Sequence, residues 1–99
     1  MKPTNYIKLK RFSFHYCYYM IIDVPEYLAD SLFIQEQVRV DFGSEYGKRG
    51  SPYIMIFCKV RKRDEGRFLQ ALDNLGNKML LMGYTDYREF CSGFFSGIN

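Results

Sequence analysis

Apolar and polar side chains alternate along the segment from residue 12 to residue 24. A period of two residues over this length, rich in aromatic side chains, predicts a β-strand. A shorter alternation at residues 38–42 predicts a second strand, although continuation of the preceding helix to Phe42 is the competing interpretation. The run from Tyr53 to Val60 is apolar on both sides, as expected of a central strand. One face of the first strand would carry Phe12, Phe14, Tyr16, Tyr18, Met20, Ile22 and Val24.

The spacing of apolar residues between and after these strands predicts three helices. Asp23 and Pro25 are suited to open the first, which would end near residues 35–37. The second would run from a capping residue, Asp64, to Gly83, which is suited to end a helix. A sequence resembling a capping box at Asp86 and Glu89 predicts a short last helix. The apolar stripe of the second helix would consist of Phe68, Leu72, Leu75, Met79 and Met82.

The predicted element order is β-α-β-β-α-α in an α+β fold. A right-handed crossover followed by a hairpin gives a three-stranded antiparallel sheet of order 1-3-2, with the helices on one face. This is a ferredoxin-like split βαβ arrangement without its fourth strand. We expect residues 1–11 to form a basic N-terminal arm and residues 12–99 a single domain. The first strand would lie at an exposed edge, so either the C-terminal segment covers it or two chains meet there.

Charge is distributed unevenly along the 99 residues, although the net charge is only +3. Residues 1–11 carry four basic side chains and no acidic one, and residues 12–47 carry six acidic side chains and one basic. Residues 48–67 carry seven basic side chains and two acidic ones. Basic and acidic segments of this kind suit either self-association or nucleic-acid binding.

The three cysteines, Cys17, Cys58 and Cys91, are widely spaced, and no two of them form a C-x-x-C motif. A disulfide framework and a structural zinc site are therefore not indicated, and reduced thiols favour a cytoplasmic location. Residues 12–24 are too polar for a signal peptide and too few for a membrane span, so we expect no membrane partner. No pattern for a metal or an organic cofactor is present.

The glycine-rich loop at residues 43–51 lacks the spacing of a phosphate-binding P-loop. Residues 49–56 match part of the strand pattern of RNA-recognition modules, at Arg49, Gly50, Tyr53 and Ile54, and depart from it at Ser51, Pro52 and Ile56. Tyr53 could stack a base beside a second aromatic platform on the first strand. Such a nucleic-acid surface would consist of Lys48, Arg49, Tyr53, Lys59 and Arg61.

Catalytic chemistry has little support in the sequence. His15 is the single histidine, and its pairing with Cys17 on one strand face is sterically feasible, but a face that also carries Tyr19 and Ile21 is more simply a packing face. We therefore expect a non-catalytic binding or assembly module whose partner is a second copy of itself, in a homodimer, or another protein. The alternatives are weak binding of single-stranded RNA or DNA, and a small-molecule binder or enzyme. Self-association would use Phe14, Tyr16 and Tyr18.

Overall fold

The structure is a computed structural model that describes residues 4–46 and 54–95. Within these residues, four strands form one antiparallel sheet, in the order β1-β2-β4-β3. The strands are β1 (Tyr6–Lys8), β2 (Tyr16–Ile22), β3 (Val40–Tyr46) and β4 (Met55–Arg61). The helices are α1 (Glu26–Gln35), α2 (Glu65–Leu81) and α3 (Tyr87–Phe90), with a 3-10 turn at Lys62–Asp64 and a π turn at Cys91–Phe95.

The α+β class and the antiparallel sheet agree with the prediction, but the prediction of three strands is wrong. Residues 6–8, in the segment predicted as a basic arm, form strand β1 and pair with β2, with Ile7 opposite Met20. The sheet order therefore differs from the predicted 1-3-2, although the three predicted strands keep their relative order as β2-β4-β3. The edge of β2 is covered by β1, which corrects the prediction that this edge is exposed.

Strand β2 is shorter at both ends than the alternating pattern predicts. Before it, the Ser13 hydroxyl accepts hydrogen bonds from the backbone N–H groups of His15 and Tyr16, which closes a local turn. After it, Asp23 adopts a φ of 66°, a backbone conformation that ends extended structure.

Residues 40–46 form a strand, so the alternative of a helix continuing to Phe42 is wrong. Gln37 has a φ of 58°, which is incompatible with a right-handed helix, and it follows directly on the end of α1. The Val38 N–H then donates to the Phe33 carbonyl at 2.9 Å and satisfies one of the terminal helix acceptors.

The helix boundaries agree with the prediction more closely than the capping residues do. Asp64 precedes α2 but its side chain makes no capping hydrogen bond, because it lies in a 3-10 turn. Asp86 does cap α3, accepting from the N–H groups of Arg88 at 2.8 Å and Glu89 at 3.2 Å. Gly83 follows α2 with a φ of 85°, as predicted for the residue that ends this helix.

The core lies between one face of the sheet and the helices. The rings of Phe33 on α1 and Phe68 on α2 stack at 4.8 Å between centroids, and Tyr19 contacts Phe68 at 4.9 Å. Burial of each such side chain contributes about 1.5–3 kcal/mol. The predicted packing face of the first strand is confirmed for Cys17, Tyr19 and Ile21, which are buried, whereas His15, assigned to the same face, is exposed. The sheet supplies Cys17, Tyr19, Ile21, Ile56, Cys58 and Val60 to the core, and α2 supplies Phe68, Leu72, Leu75 and Met79.

A polar contact ties β1 and β2 to the start of α2. Glu65 accepts a hydrogen bond from the Tyr19 hydroxyl and forms an ion pair with Lys8 at 2.8 Å. These two partners, Lys8 first, hold the pKa of Glu65 below its usual value. Burial, followed by the hydrogen bond to Glu65, raises the pKa of Tyr19, so the phenol stays protonated and keeps donating.

Candidate functional site

One face of the sheet points away from the described helices, and we call it the open face. Along β2 and β4 every second residue is buried, so the intervening residues point to the opposite side. These intervening side chains are half-buried or exposed rather than part of the core. The open face carries Tyr16, Tyr18, Met20 and Ile22 from β2, and Met55, Phe57, Lys59 and Arg61 from β4.

The half of the open face where β2 begins and β4 ends combines tyrosine rings with cations. The Lys59 Nζ lies 4.1 Å from the centroid of the Tyr16 ring, and the Arg11 guanidinium carbon lies 4.6 Å from that of Tyr18. Both distances are within the range of a cation–π interaction. Arg61 pairs with Tyr16 across the strands, which adds a third cation to the same half.

The other half of the open face is apolar. Met20 lies opposite Phe57 and Ile22 lies opposite Met55 in the β2–β4 register. Ile7 of β1 lies opposite Met20, and 49% of its surface is exposed. The open face therefore divides into one half that combines cations with tyrosine rings and another half that is apolar.

A hollow of about 520 Å³ lies on the open face where β2, β4 and β3 meet. Tyr18 and Phe57 form part of its wall, and Arg11 and Lys59 contribute positive charge. Asp41 of β3, which lies opposite Lys59 in the strand register, contributes a carboxylate. This volume is in the range of sites for small organic groups.

A second basic hollow, of about 510 Å³, lies beside the start of β2. Its lining includes Phe14 and Tyr16 as aromatic members and His15, Arg61, Lys62 and Arg63 as basic or titratable members. Arg61 borders both this hollow and the open face, so positive charge continues from one to the other.

Of the side chains predicted from the sequence, Tyr16, Tyr18, Lys59 and Arg61 lie together on the open face. Phe14 lies in the turn before β2 rather than in the strand, and 79% of its surface is exposed. Its ring meets that of Phe12 in a T-shaped arrangement at 4.9 Å. The predicted residues Lys48, Arg49 and Tyr53 lie outside the described residues.

Sequence reasoning missed three members of this surface: Arg11, Asp41 and Phe57. The strand period could have identified Phe57, which is two residues from Lys59 and therefore on the same face. Arg11 and Asp41 carry no such signal, because each reaches the hollow through strand pairing that brings distant segments together.

The pairing of His15 with Cys17, which the sequence made feasible but did not favour, is not present. His15 is exposed in the turn before β2, whereas Cys17 is buried in the core. Burial, with a smaller contribution from its hydrogen bond to Glu65, raises the pKa of the Cys17 thiol. Burial likewise raises the pKa of Cys58 to about 12 and that of Cys91 to about 11. These thiols are therefore poor nucleophiles at neutral pH.

The described part of the chain contains neither a cluster of metal-ligating side chains nor a helix that could span a membrane. Over residues 4–46 and 54–95, no group of three or more His, Cys, Asp or Glu side chains is arranged to hold a metal ion. Among the same residues, no helix combines the length and the apolar composition needed to cross a bilayer.

No family model matches the sequence, and comparisons with curated proteins and with solved structures give no match. A functional assignment must therefore come from the chain's own residues, and the open face carries four of the five predicted site residues that lie within the described part of the chain.

Proposed function

We propose that this protein is a binding module for single-stranded nucleic acid and that the open face is its binding surface. The observation that carries the proposal is the pairing of Tyr16 with Lys59 and of Tyr18 with Arg11 on the face of the antiparallel sheet that the described helices leave open. Aromatic side chains that stack bases, next to cations that meet phosphates, are the two elements of single-strand recognition.

The cations have a role both before and after binding. In the free protein, Lys59 and Arg11 lie over the tyrosine rings, which keeps these rings from exposing an apolar surface. When a base stacks on Tyr16, the flexible lysine stem lets the ammonium move to a neighbouring phosphate. The planar Arg11 guanidinium can itself stack on a base. Each stacked base contributes on the order of 1–3 kcal/mol.

The test is fluorescence anisotropy with labelled single-stranded RNA and DNA of about ten nucleotides, a length within the range of single-strand binding sites. We expect the Tyr18→Ala variant to bind about tenfold more weakly, because one stacking platform is lost. Between about 50 and 200 mM salt, phosphate contacts by Arg11, Lys59 and Arg61 predict a log–log slope near −2.

The matched charge variants are Lys59→Gln on the open face and Arg67→Gln on the exposed side of α2. Each removes one positive charge, so a non-specific effect of net charge would be equal in both. We expect Lys59→Gln to lower the salt slope by about 0.7 and Arg67→Gln to leave it nearly unchanged. Affinity that is absent, or independent of salt, would refute the proposal.

Self-association is the second function we propose, and the exposed pair Phe12 and Phe14 favours it. The two rings are 81% and 79% exposed, and large apolar groups that are this exposed are typical of contact sites. Tyr16 lies next to Phe14 at the border of the open face, so a second copy could contact all three predicted residues, Phe14, Tyr16 and Tyr18.

Light scattering after size exclusion tests self-association over a range of protein concentrations. We expect the wild type to form a dimer at high concentration and the Phe12→Ser/Phe14→Ser double variant to remain a monomer. The control is Leu81→Ser, which removes another highly exposed apolar side chain, at the end of α2. A monomeric wild type at every concentration would exclude this second function.

Two finer descriptions are further proposals. A ferredoxin-like arrangement is supported by β2 and β3, which are parallel to each other, joined through α1 and separated by β4, with β1 in the place of the missing strand. A cytoplasmic location is supported by three buried cysteines that are all free thiols. The remaining alternative, a small-molecule binder or enzyme, stays a prediction from the sequence.

A further inference from the structure

The position of Asp41 is unexpected for a surface that binds phosphates. Asp41 lines the 520 Å³ hollow with Arg11 and Lys59, and it also lines a smaller hollow of about 80 Å³ with Arg39 and Arg61. Among the described residues that line these two hollows, Asp41 is the one with an acidic side chain. It is exposed and forms no hydrogen bond or ion pair with another described residue.

An ionised carboxylate accepts hydrogen bonds and repels phosphate, so Asp41 does not contact the phosphate groups. The groups of a nucleic acid that can donate to it are the ribose 2′-hydroxyl of RNA, which every nucleotide carries and which distinguishes no base, and the N–H groups of the base edges. Single-stranded bases expose their Watson–Crick edges, so the edge of a bound base can donate hydrogen bonds to Asp41.

Guanine is the base whose Watson–Crick edge suits a carboxylate best. Its N1–H and its 2-amino group are adjacent donors, and the two oxygens of a carboxylate can accept from both at once. Adenine and cytosine each present one amino group next to an acceptor nitrogen, and uracil presents one N–H between two carbonyl groups. Those neighbouring acceptors repel a carboxylate.

We propose that Asp41 recognises a guanine that lies in the hollow beside Tyr18 and Phe57, an inference that rests on the proposed nucleic-acid binding. The aromatic side chains contact the base, Asp41 accepts from its edge, and Arg11 and Lys59 contact the flanking phosphates. Cross-strand pairing holds Asp41 directly opposite Lys59, so base recognition and phosphate binding occur at neighbouring positions.

The test is anisotropy with a uridine oligonucleotide of about ten residues that carries one central variable base. The variable base is guanine, inosine, adenine or uracil. Inosine is the matched probe because it keeps the N1–H and lacks only the 2-amino group. For wild-type protein we expect roughly tenfold tighter binding with guanine than with inosine or adenine, in the range of a bidentate base contact.

The Asp41→Asn variant is expected to reduce the preference for guanine to less than about twofold, since an amide cannot accept at both positions. It should also bind the all-uridine strand somewhat more tightly, because a negative charge is removed from a cationic surface. The control is Asp30→Asn, which removes an exposed carboxylate from α1 and should change neither property.

The outcomes separate the two proposals. Equal, salt-dependent binding of all four strands by wild type would refute guanine recognition and leave nucleic-acid binding in place. A preference for guanine that persists in Asp41→Asn would also refute the role of Asp41. Loss of binding to every strand would refute the proposed function itself.

Discussion

At the scale of single residues, Asp23 combines an unusual backbone conformation with a partly buried carboxylate. Its φ of 66° lies in the left-handed region, which aspartate and asparagine tolerate better than most residues. Its Oδ1 is buried without a hydrogen-bond partner in the structure. Burial raises the pKa of Asp23 above its usual value, although a hydrogen bond from the Ile54 backbone opposes this shift.

We predict that Asp23→Asn stabilises the protein at neutral pH by roughly 0.5 kcal/mol, because a neutral amide removes the cost of holding a charge at a partly buried position. Asparagine keeps an acceptor for the Ile54 N–H and tolerates the same backbone conformation. The measurement is urea unfolding at pH 7, with Asp30→Asn as the control on an exposed surface of α1. Equal stability of Asp23→Asn and wild type would show that the ionised Asp23 carboxylate does not destabilise the folded protein.

The sign of the pH effect follows from the raised pKa. The folded state binds the Asp23 proton more tightly than the unfolded state, so this group favours folding when protonated. Its contribution to stability falls as the pH rises from the unfolded pKa, near 3.8, through the higher folded pKa. The advantage of Asp23→Asn should therefore disappear when unfolding is measured below pH 3.8.

At the scale of elements, a glycine lies near each end of α2, one inside the helix and one after it, and the two have different backbone conformations. Gly83 follows the helix with a φ of 85°, and Gly66 lies in its first turn. A Cβ added at either position would contact no other atom within 4 Å. Alanine substitutions at these two sites therefore test the backbone conformation alone, because the added methyl group makes no new packing contact.

We predict opposite effects of alanine at these two positions. Gly83→Ala should lower the free energy of unfolding by about 1 kcal/mol, because a side chain disfavours the left-handed conformation. Gly66→Ala should raise it by about 0.5 kcal/mol, because alanine has less conformational freedom to lose in a helix. Chemical denaturation of both variants measures the difference, and effects of the same sign would contradict the assigned conformations.

Strand β1 is the element that most changes the predicted sheet, and it is held by few contacts. The ion pair of Lys8 with Glu65 joins it to α2, but 58% of the Lys8 side chain is exposed. An ion pair this exposed adds little to the stability of the fold, because solvent screens it. The backbone ladder with β2 and the partial burial of Tyr6 therefore provide most of its attachment.

At the scale of the whole molecule, β1 determines whether the sheet has an unpaired edge at β2. We predict that deletion of residues 1–8 causes association that increases with protein concentration, because β2 would present its unpaired N–H and C=O groups. Light scattering after size exclusion measures this, and far-ultraviolet circular dichroism establishes whether the shortened chain remains folded.

The matched control for that deletion removes residues 1–3 alone, which leaves β1 intact. It should behave as the full-length chain does. A folded, monomeric protein without residues 1–8 would show that β1 is not needed to protect the edge. An unfolded one would show instead that β1 is required for stability.

Elements that follow from a periodic pattern within one segment were predicted better than the pairing between segments. Strong periodic patterns predicted α2 closely, because Phe68, Leu72 and Leu75 repeat at helical spacing and all three are buried. A strand was also predicted from local features at residues 38–42, where the structure has one at residues 40–46, and the role of Gly83 was predicted in the same way. Strand β1 was missed, because three residues within a basic segment carry too short a pattern to indicate pairing.

The sequence by itself determined the α+β class, the two faces of β2 and the positions of the main helices. These properties follow from the spacing of apolar residues along continuous segments. The tertiary structure alone decided that β1 covers the edge of β2 and that Arg11 lies over Tyr18. It also decided that Asp41 lies opposite Lys59. These contacts join different segments of the chain, and which side chains meet depends on how the strands pair and on the strand register, which only the folded sheet fixes.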